Sequence, residues 1–236
     1  DTHCLGRYYP LTGDTGRYAA PDQRYLGALF SKTPGMEASM FTLMAEMNRL
    51  TGDPVFAQLA YAANGRSTRG IPHDLFCADP SAVRRRIEAA IRKHGPEPKV
   101  GSVNKEQWRL AILRSGKGPS ARAVWLDYDA GGAHGHADAL NIGMFAHGLD
   151  LLPEFGYPSV QFGGWGSPRA RWNTMTAAHN TVIVDRANQK AALGECTLWA
   201  DGPTLRAVRA RCPQAPGIAR FERTVALCDV GPSVSY

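Results

Sequence analysis

The sequence predicts an α+β fold, with a helical part over residues 1–105 followed by an antiparallel β-sandwich over residues 106–236. Three observations predict it. Apolar residues recur at helical spacing up to residue 94, and strand-like alternation takes over near Val103. Between them lies Gly95-Pro96-Glu97-Pro98, a linker of helix breakers.

The first helix spans residues 36–50, with Met36, Met40, Leu43, Met44, Met47 and Leu50 on one side and Gly52 as its stop. Pro54 opens the second, which carries Val55, Phe56, Leu59, Ala60 and Ala63 and closes at Asn64-Gly65. Asp79 caps the third, Pro80 fills its first turn, and Val83, Ile87, Ala90 and Ile91 lead to Gly95. Short helices joined by Gly/Pro turns predict antiparallel hairpins. Strands are expected over 108–114, 122–128, 140–147, 149–155, 181–185, 197–200, 205–210 and 220–229. Gly116-Lys117-Gly118-Pro119 and Asp201-Gly202-Pro203 supply turns, and this many short strands predicts a sandwich.

The 236 residues are 44% hydrophobic and 20% charged, enough for one large or two small domains. No apolar run approaches the roughly 20 residues that cross a bilayer. Both ends read as cuts within a longer protein, so a fragment is expected and a missing leader says nothing of compartment. The net charge of +6 favours anionic partners. Arg84-Arg85-Arg86 with Arg92-Lys93 read as the solvated face of the third helix. Arg169, Arg171 and Arg186 flank His179 and suit an anionic substrate. No nucleic-acid-binding signature is present. Five cysteines lie outside any CxxC spacing, which argues against a thiolate zinc site or redox dithiol; Cys196 and Cys228 are expected to be buried free thiols.

The richest stretch is His134-Gly135-His136-Ala137-Asp138, preceded by Gly131-Gly132-Ala133. In a strand, residues two apart share a face, so His134, His136 and Asp138 are expected to converge on one point. Imidazoles there can ligate metal or move protons near neutral pH, and a carboxylate can fix their tautomer. His179-Asn180-Thr181 opens another strand-like run downstream.

The block from Gly131 through Asn141 resembles the signature of the heparinase II/III-like polysaccharide lyases. So do Leu149-Asp150-Leu151-Leu152-Pro153-Glu154-Phe155-Gly156-Tyr157 and the run from Ala177 to Asp185 with Gln189 after it, at the family's spacing. The helical part, including Tyr9-Pro10-Leu11-Thr12-Gly13-Asp14-Thr15-Gly16, is similar to the tail of the family's (α/α) toroid. The resemblance implies one structural zinc per chain, held by His136, Glu154 and His179. Glu154 stands where the family usually has Asp, a swap zinc tolerates because it accepts either carboxylate. It implies His134 as the catalytic histidine of a β-elimination at a uronic acid in an acidic polysaccharide, of glycosaminoglycan or alginate type. A Tyr and an Asn or His pair would come from the toroid, upstream of Asp1; Tyr8 and Tyr9 do not match the Tyr motif. A periplasmic or secreted location is implied as well, and the fragment alone is expected to be inactive.

Two rival classes compete. A non-catalytic carbohydrate-binding sandwich would keep zinc for stability alone. A binuclear metallo-hydrolase needs a histidine directly after Asp138, where this chain has Ala139.

Overall fold

The computed structural model describes residues 4, 10–14, 38–132, 134–156, 160, 163–231 and 234–235. Tyr8, Tyr9, Met36 and Tyr157 lie outside the described residues. The chain forms two compact units, Tyr25–Val100, and Asp1–Arg24 together with Gly101–Tyr236. The described residues Cys4 and Pro10 to Asp14 therefore belong to the unit that carries the strands.

Among the described residues, the unit Tyr25–Val100 contains three helices, α1 (Ala38–Thr51), α2 (Pro54–Ala63) and α3 (Pro80–His94). Their ends follow the local chemistry. The Asp53 carboxylate accepts from Val55 N–H and that of Asp79 from Ala82 N–H, filling orphan donors of the first turns. Gly95 ends α3 at a positive φ of 84°. Phe41, Ala57, Ala60, Ala63, Ile71 and Ile87 form the core. Small alanines at the α2 contact let the helices approach closely. Arg85, Arg92 and Lys93 are exposed as expected, while Arg84 and Arg86 are half-buried.

The other unit is built on antiparallel sheets. Sheet one runs β1 (Val103–Lys105), β2 (Leu110–Ser115), β3 (Arg122–Asp127), β5 (Asn141–Ala146) and β6 (Leu149–Asp150). β4 (Asp129–Ala130) pairs separately with β7 (Ala192–Leu193). Sheet two orders β11 (Val234–Ser235), β10 (Glu222–Gly231), β9 (Leu205–Arg211) and β8 (Glu195–Asp201). Leu113, Val124 and Leu126 of sheet one share a core with Val208, Ala210 and Leu227 of sheet two, so the sheets pack face to face. The opposite face of sheet one is covered too: Ile112, Trp125 and Phe145 pack with Cys4. Burial on both faces explains why the middle of β3, Ala123 to Leu126, is apolar without a break instead of alternating. Gly143 sits opposite Trp125, and a Cβ there would come within 2.2 Å of the indole, so the strand glycine makes room for the ring.

Several expected strands change. Residues 181–185 form no strand, only a bridge between Val184 and Ala187. The expected strand over 149–155 shortens to β6; beyond it Glu154 turns inward and its carboxylate accepts from Asn141, while Pro153 and Phe155 stay exposed. The five cysteines are free; Cys4 and Cys212 are the buried ones, whereas Cys196 and Cys228 are half-buried.

Candidate metal centre

The loop between β4 and β5 carries the histidine motif, and it is a tight turn, not a strand. His134 lies in the left-handed region at φ 63°. Gly135 permits the turn: a Cβ there would lie 1.9 Å from the Gly131 carbonyl oxygen. The expected strand periodicity therefore fails, and the two histidines part. His136 is buried with 1% of its side chain exposed, whereas His134 keeps 78% exposed.

Asp14 joins them again. One carboxylate oxygen meets His134 Nδ1 at 3.1 Å and the other meets His136 Nε2 at 3.1 Å. The Asp14 N–H also donates to the His134 carbonyl at 2.8 Å.

A second loop supplies His179. Ser167 caps the short helix α4 (Pro168–Asn173), and Thr174 O then accepts from Ala137 N–H at 3.1 Å, tying this loop to the histidine turn. A 3₁₀ turn, Thr176–Ala178, delivers His179 in extended backbone. Its Nδ1 lies 2.9 Å from Glu154 Oε1, which also accepts from Phe155 N–H; Glu154 Oε2 accepts from Asn141 Nδ2 at 2.8 Å. Asn141 Oδ1 in turn accepts from Asn180 N–H at 3.0 Å, so one buried amide holds both sides of the site. Arg223 of β10 donates to the carbonyls of Leu140 and Asn180.

Among the described residues, His136, Asp138 and His179 form the one group of ligand-type side chains close enough to hold a metal ion, their atoms within 4.8 Å of one another. All three are buried. His136 Nδ1, Asp138 Oδ2 and His179 Nε2 have no hydrogen-bond partner, an expensive state for buried polar atoms unless something binds them. Two imidazole nitrogens and a carboxylate oxygen suit zinc. Glu154 lies behind His179, with both oxygens engaged.

The electrostatics agree with a cation site. Burial pushes the Asp138 carboxyl up to about 7; the charge on His179 opposes this, and those of Glu154 and Asp129 add to it. Burial lowers the His136 pKa, against the hydrogen bond that its ring donates to Asp14, so the neutral ring that a metal needs is favoured. For His179, burial disfavours the charged ring, but the Glu154 bond and charge, Asp138 and the Asn173 backbone together raise it.

The sequence pointed to His134, His136, Asp138, Glu154 and His179, and the structure gathers all five in this region, with His134 at its exposed edge. It missed the roles of Asp14, Asn141 and Arg223. Asp14 lies 120 residues from His134, and its only local signal is the turn Thr12-Gly13-Asp14-Thr15-Gly16. Arg169, Arg171 and Arg186 are exposed.

Two facing antiparallel sheets with a buried His/Asp cluster at one loop end define a metal-competent β domain. The chain belongs to the heparinase II/III-like family, whose C-terminal domain model matches residues 107–226. Among solved structures it is similar to the heparan sulfate lyase HepC of Pedobacter heparinus, at 15% identity over 96% of this chain and 28% of that one, TM-score 0.58. A mutant of the same lyase gives 17% identity over 89% and 29%, TM-score 0.57. A heparinase III gene product gives 18% over 84% and 27%, TM-score 0.52. The chain thus spans under a third of these proteins, and at such identities the likeness shows the fold. No curated protein sequence matches it.

Proposed function

We propose that this chain is the metal-holding part of a polysaccharide lyase that cleaves uronic-acid-containing acidic polysaccharide, of glycosaminoglycan or alginate type, by β-elimination. One observation carries the reading: an exposed imidazole, His134, is fastened by a buried carboxylate directly beside a buried ligand cluster. Family membership and the net charge of +6 support it.

Zinc would be held by His136, Asp138 and His179, where it would pin the two loops together. Glu154 would then accept a hydrogen bond from His179 Nδ1–H and turn the other nitrogen toward the cluster. The set His136, Glu154 and His179 is the second reading. Its support is the 2.9 Å contact between His179 Nδ1 and Glu154 Oε1, close to the spacing of about 3.3 Å that two tetrahedral zinc ligands share. Zinc content measured in Asp138→Asn and Glu154→Gln separates the two.

His134 takes the proton from the carbon next to the uronate carboxylate. The electron pair left behind forms the ring double bond, the bond to the glycosidic oxygen breaks, and that oxygen picks up a proton. Neutralising the carboxylate and protonating the leaving oxygen are proposed to fall to an (α/α) toroid. A substrate of this kind places the protein in the periplasm or outside the cell. No helix among the described residues is long and apolar enough to cross a membrane.

The test uses protein made from its complete coding sequence. Lyase turnover yields an unsaturated product that absorbs in the ultraviolet. His134→Ala should lower the rate by about 10²–10⁴-fold while zinc content and melting temperature hold. Release of reducing ends without that absorbance rejects the reaction class. Binding of polysaccharide with no turnover identifies a carbohydrate-binding domain instead.

A further inference from the structure

We infer that Asp14 is a positioning residue that sets opposite tautomers on His134 and His136, making one a proton-transfer group and the other a metal ligand. The part concerning His134 as proton acceptor rests on the lyase reading above; the tautomers themselves do not.

A carboxylate only accepts hydrogen bonds, so each ring must present an N–H to Asp14. His136 presents Nε2 and His134 presents Nδ1, each at 3.1 Å. In a neutral imidazole the nitrogen opposite the N–H carries the lone pair. For His136 that is Nδ1, the buried atom without a partner at the cluster. For His134 it is Nε2, on a ring with 78% of its side chain open to solvent. One anion therefore leaves the inner ring ready for a cation and the outer ring ready for a substrate proton.

The geometry exceeds what a chance surface pair would show. Asp14 keeps only 8% of its side chain exposed, and both of its oxygens are used. Its own N–H fixes the His134 carbonyl, and Gly13 lets the segment approach. At Gly13, φ is 53° and an added Cβ would lie 2.4 Å from the His134 oxygen. The free imidazole prefers its proton on Nε2, so His134 holds the less favoured form only while Asp14 accepts from Nδ1.

Histidine-selective nitrogen labelling and long-range nitrogen–proton correlation spectra read the tautomers directly in the protein, recorded above the histidine titration range. The expected wild-type result is Nδ1–H for His134 and Nε2–H for His136. Asp14→Ala should return His134 to Nε2–H. Asp14→Asn keeps the size of the side chain but accepts with one atom and donates with the other, so one of the two rings should exchange its proton between nitrogens. Competition with a chromophoric chelator should show zinc affinity weakened by about 10–100-fold in both variants, the usual effect of losing a ligand's orienting partner. Nε2–H on wild-type His134 overturns the assignment without need of any variant. Zinc binding abolished as fully as in His136→Ala also overturns it, since Asp14 would then be a ligand. If the protein shows the expected tautomers but no eliminase activity, the lyase reading fails while the role of Asp14 stands.

Discussion

Between the two sheets, the Asp229 carboxylate accepts from Ser115 Oγ at 2.6 Å and from the guanidinium groups of Arg122 and Arg206 at 2.8 Å each. Around His136, by contrast, three buried atoms meet no partner, and Asp127 and Asp138 are both pushed toward the protonated form. The two clusters share a unit and a similar depth. In the first, each charge is answered by its opposite, and four strands are stitched together: β2, β3, β9 and β10. In the second, Asp127 and Asp138 lie close together with no arginine hydrogen-bonded to either among the described residues, while Arg223 is spent on the Leu140 and Asn180 carbonyls. This costs stability in the metal-free chain and leaves room for a cation. A satisfied network stabilises a fold, whereas an unsatisfied one marks a place where something binds.

The largest expected effect breaks the satisfied cluster. Asp229→Ala removes the carboxylate that Ser115, Arg122 and Arg206 share, leaving Arg206 the longer 3.5 Å ion pair with Asp201, a loss of about 3–5 kcal/mol. Urea titration followed by circular dichroism measures it, and a loss below about 1 kcal/mol would show that water takes over the role of Asp229.

A smaller effect of opposite sign comes from the other cluster. Burial raises the Asp127 pKa, and the charges of Asp138 and Asp129 raise it further. A folded pKa above the unfolded value means that its contribution is fully present below about 3.8 and is lost as pH rises through the folded pKa. Asp127→Asn removes that cost, so it should stabilise the metal-free protein at neutral pH by about 1–3 kcal/mol and change little near pH 4, by the scale of an uncompensated buried polar group. Melting temperatures across pH give the answer; a gain independent of pH would assign the effect to packing.

The smallest effect is the control. Glu195 and Arg211 form an ion pair at 2.7 Å, with over half of each side chain in water. Glu195→Gln should leave the melting temperature unchanged in calorimetry, because water and salt screen such a pair.

How much of this was legible beforehand differs by element. Asp53-Pro54 and Asp79-Pro80 announce their helix starts, since cap and proline act within one turn. The strands Arg122–Asp127, Leu205–Arg211 and Glu222–Gly231 follow from apolar and β-branched runs. The motif around His134 pointed to the site but not to its shape. A period of two predicts one shared face, and the left-handed backbone at His134 cancels it. Residues 181–185 look like a strand by composition, yet Gln189 donates to the Val182 carbonyl and Thr181 to that of Ala139. The first takes a carbonyl that a ladder would need, and the second ties the run to the loop at Ala139.

By itself, the sequence determined the helix ends, most strands, the basic charge and the chemical types gathered near His136, because these depend on residues within a few positions of one another. Only the tertiary structure decided that Asp14 reaches His134 across 120 residues, that Asp138 joins His136 and His179 in one buried group of ligand-type atoms, and that Asp229 draws in arginines from two strands. Side chains this far apart meet only through the packing of loops and sheets, and no local spacing in the chain records which of them will share a carboxylate.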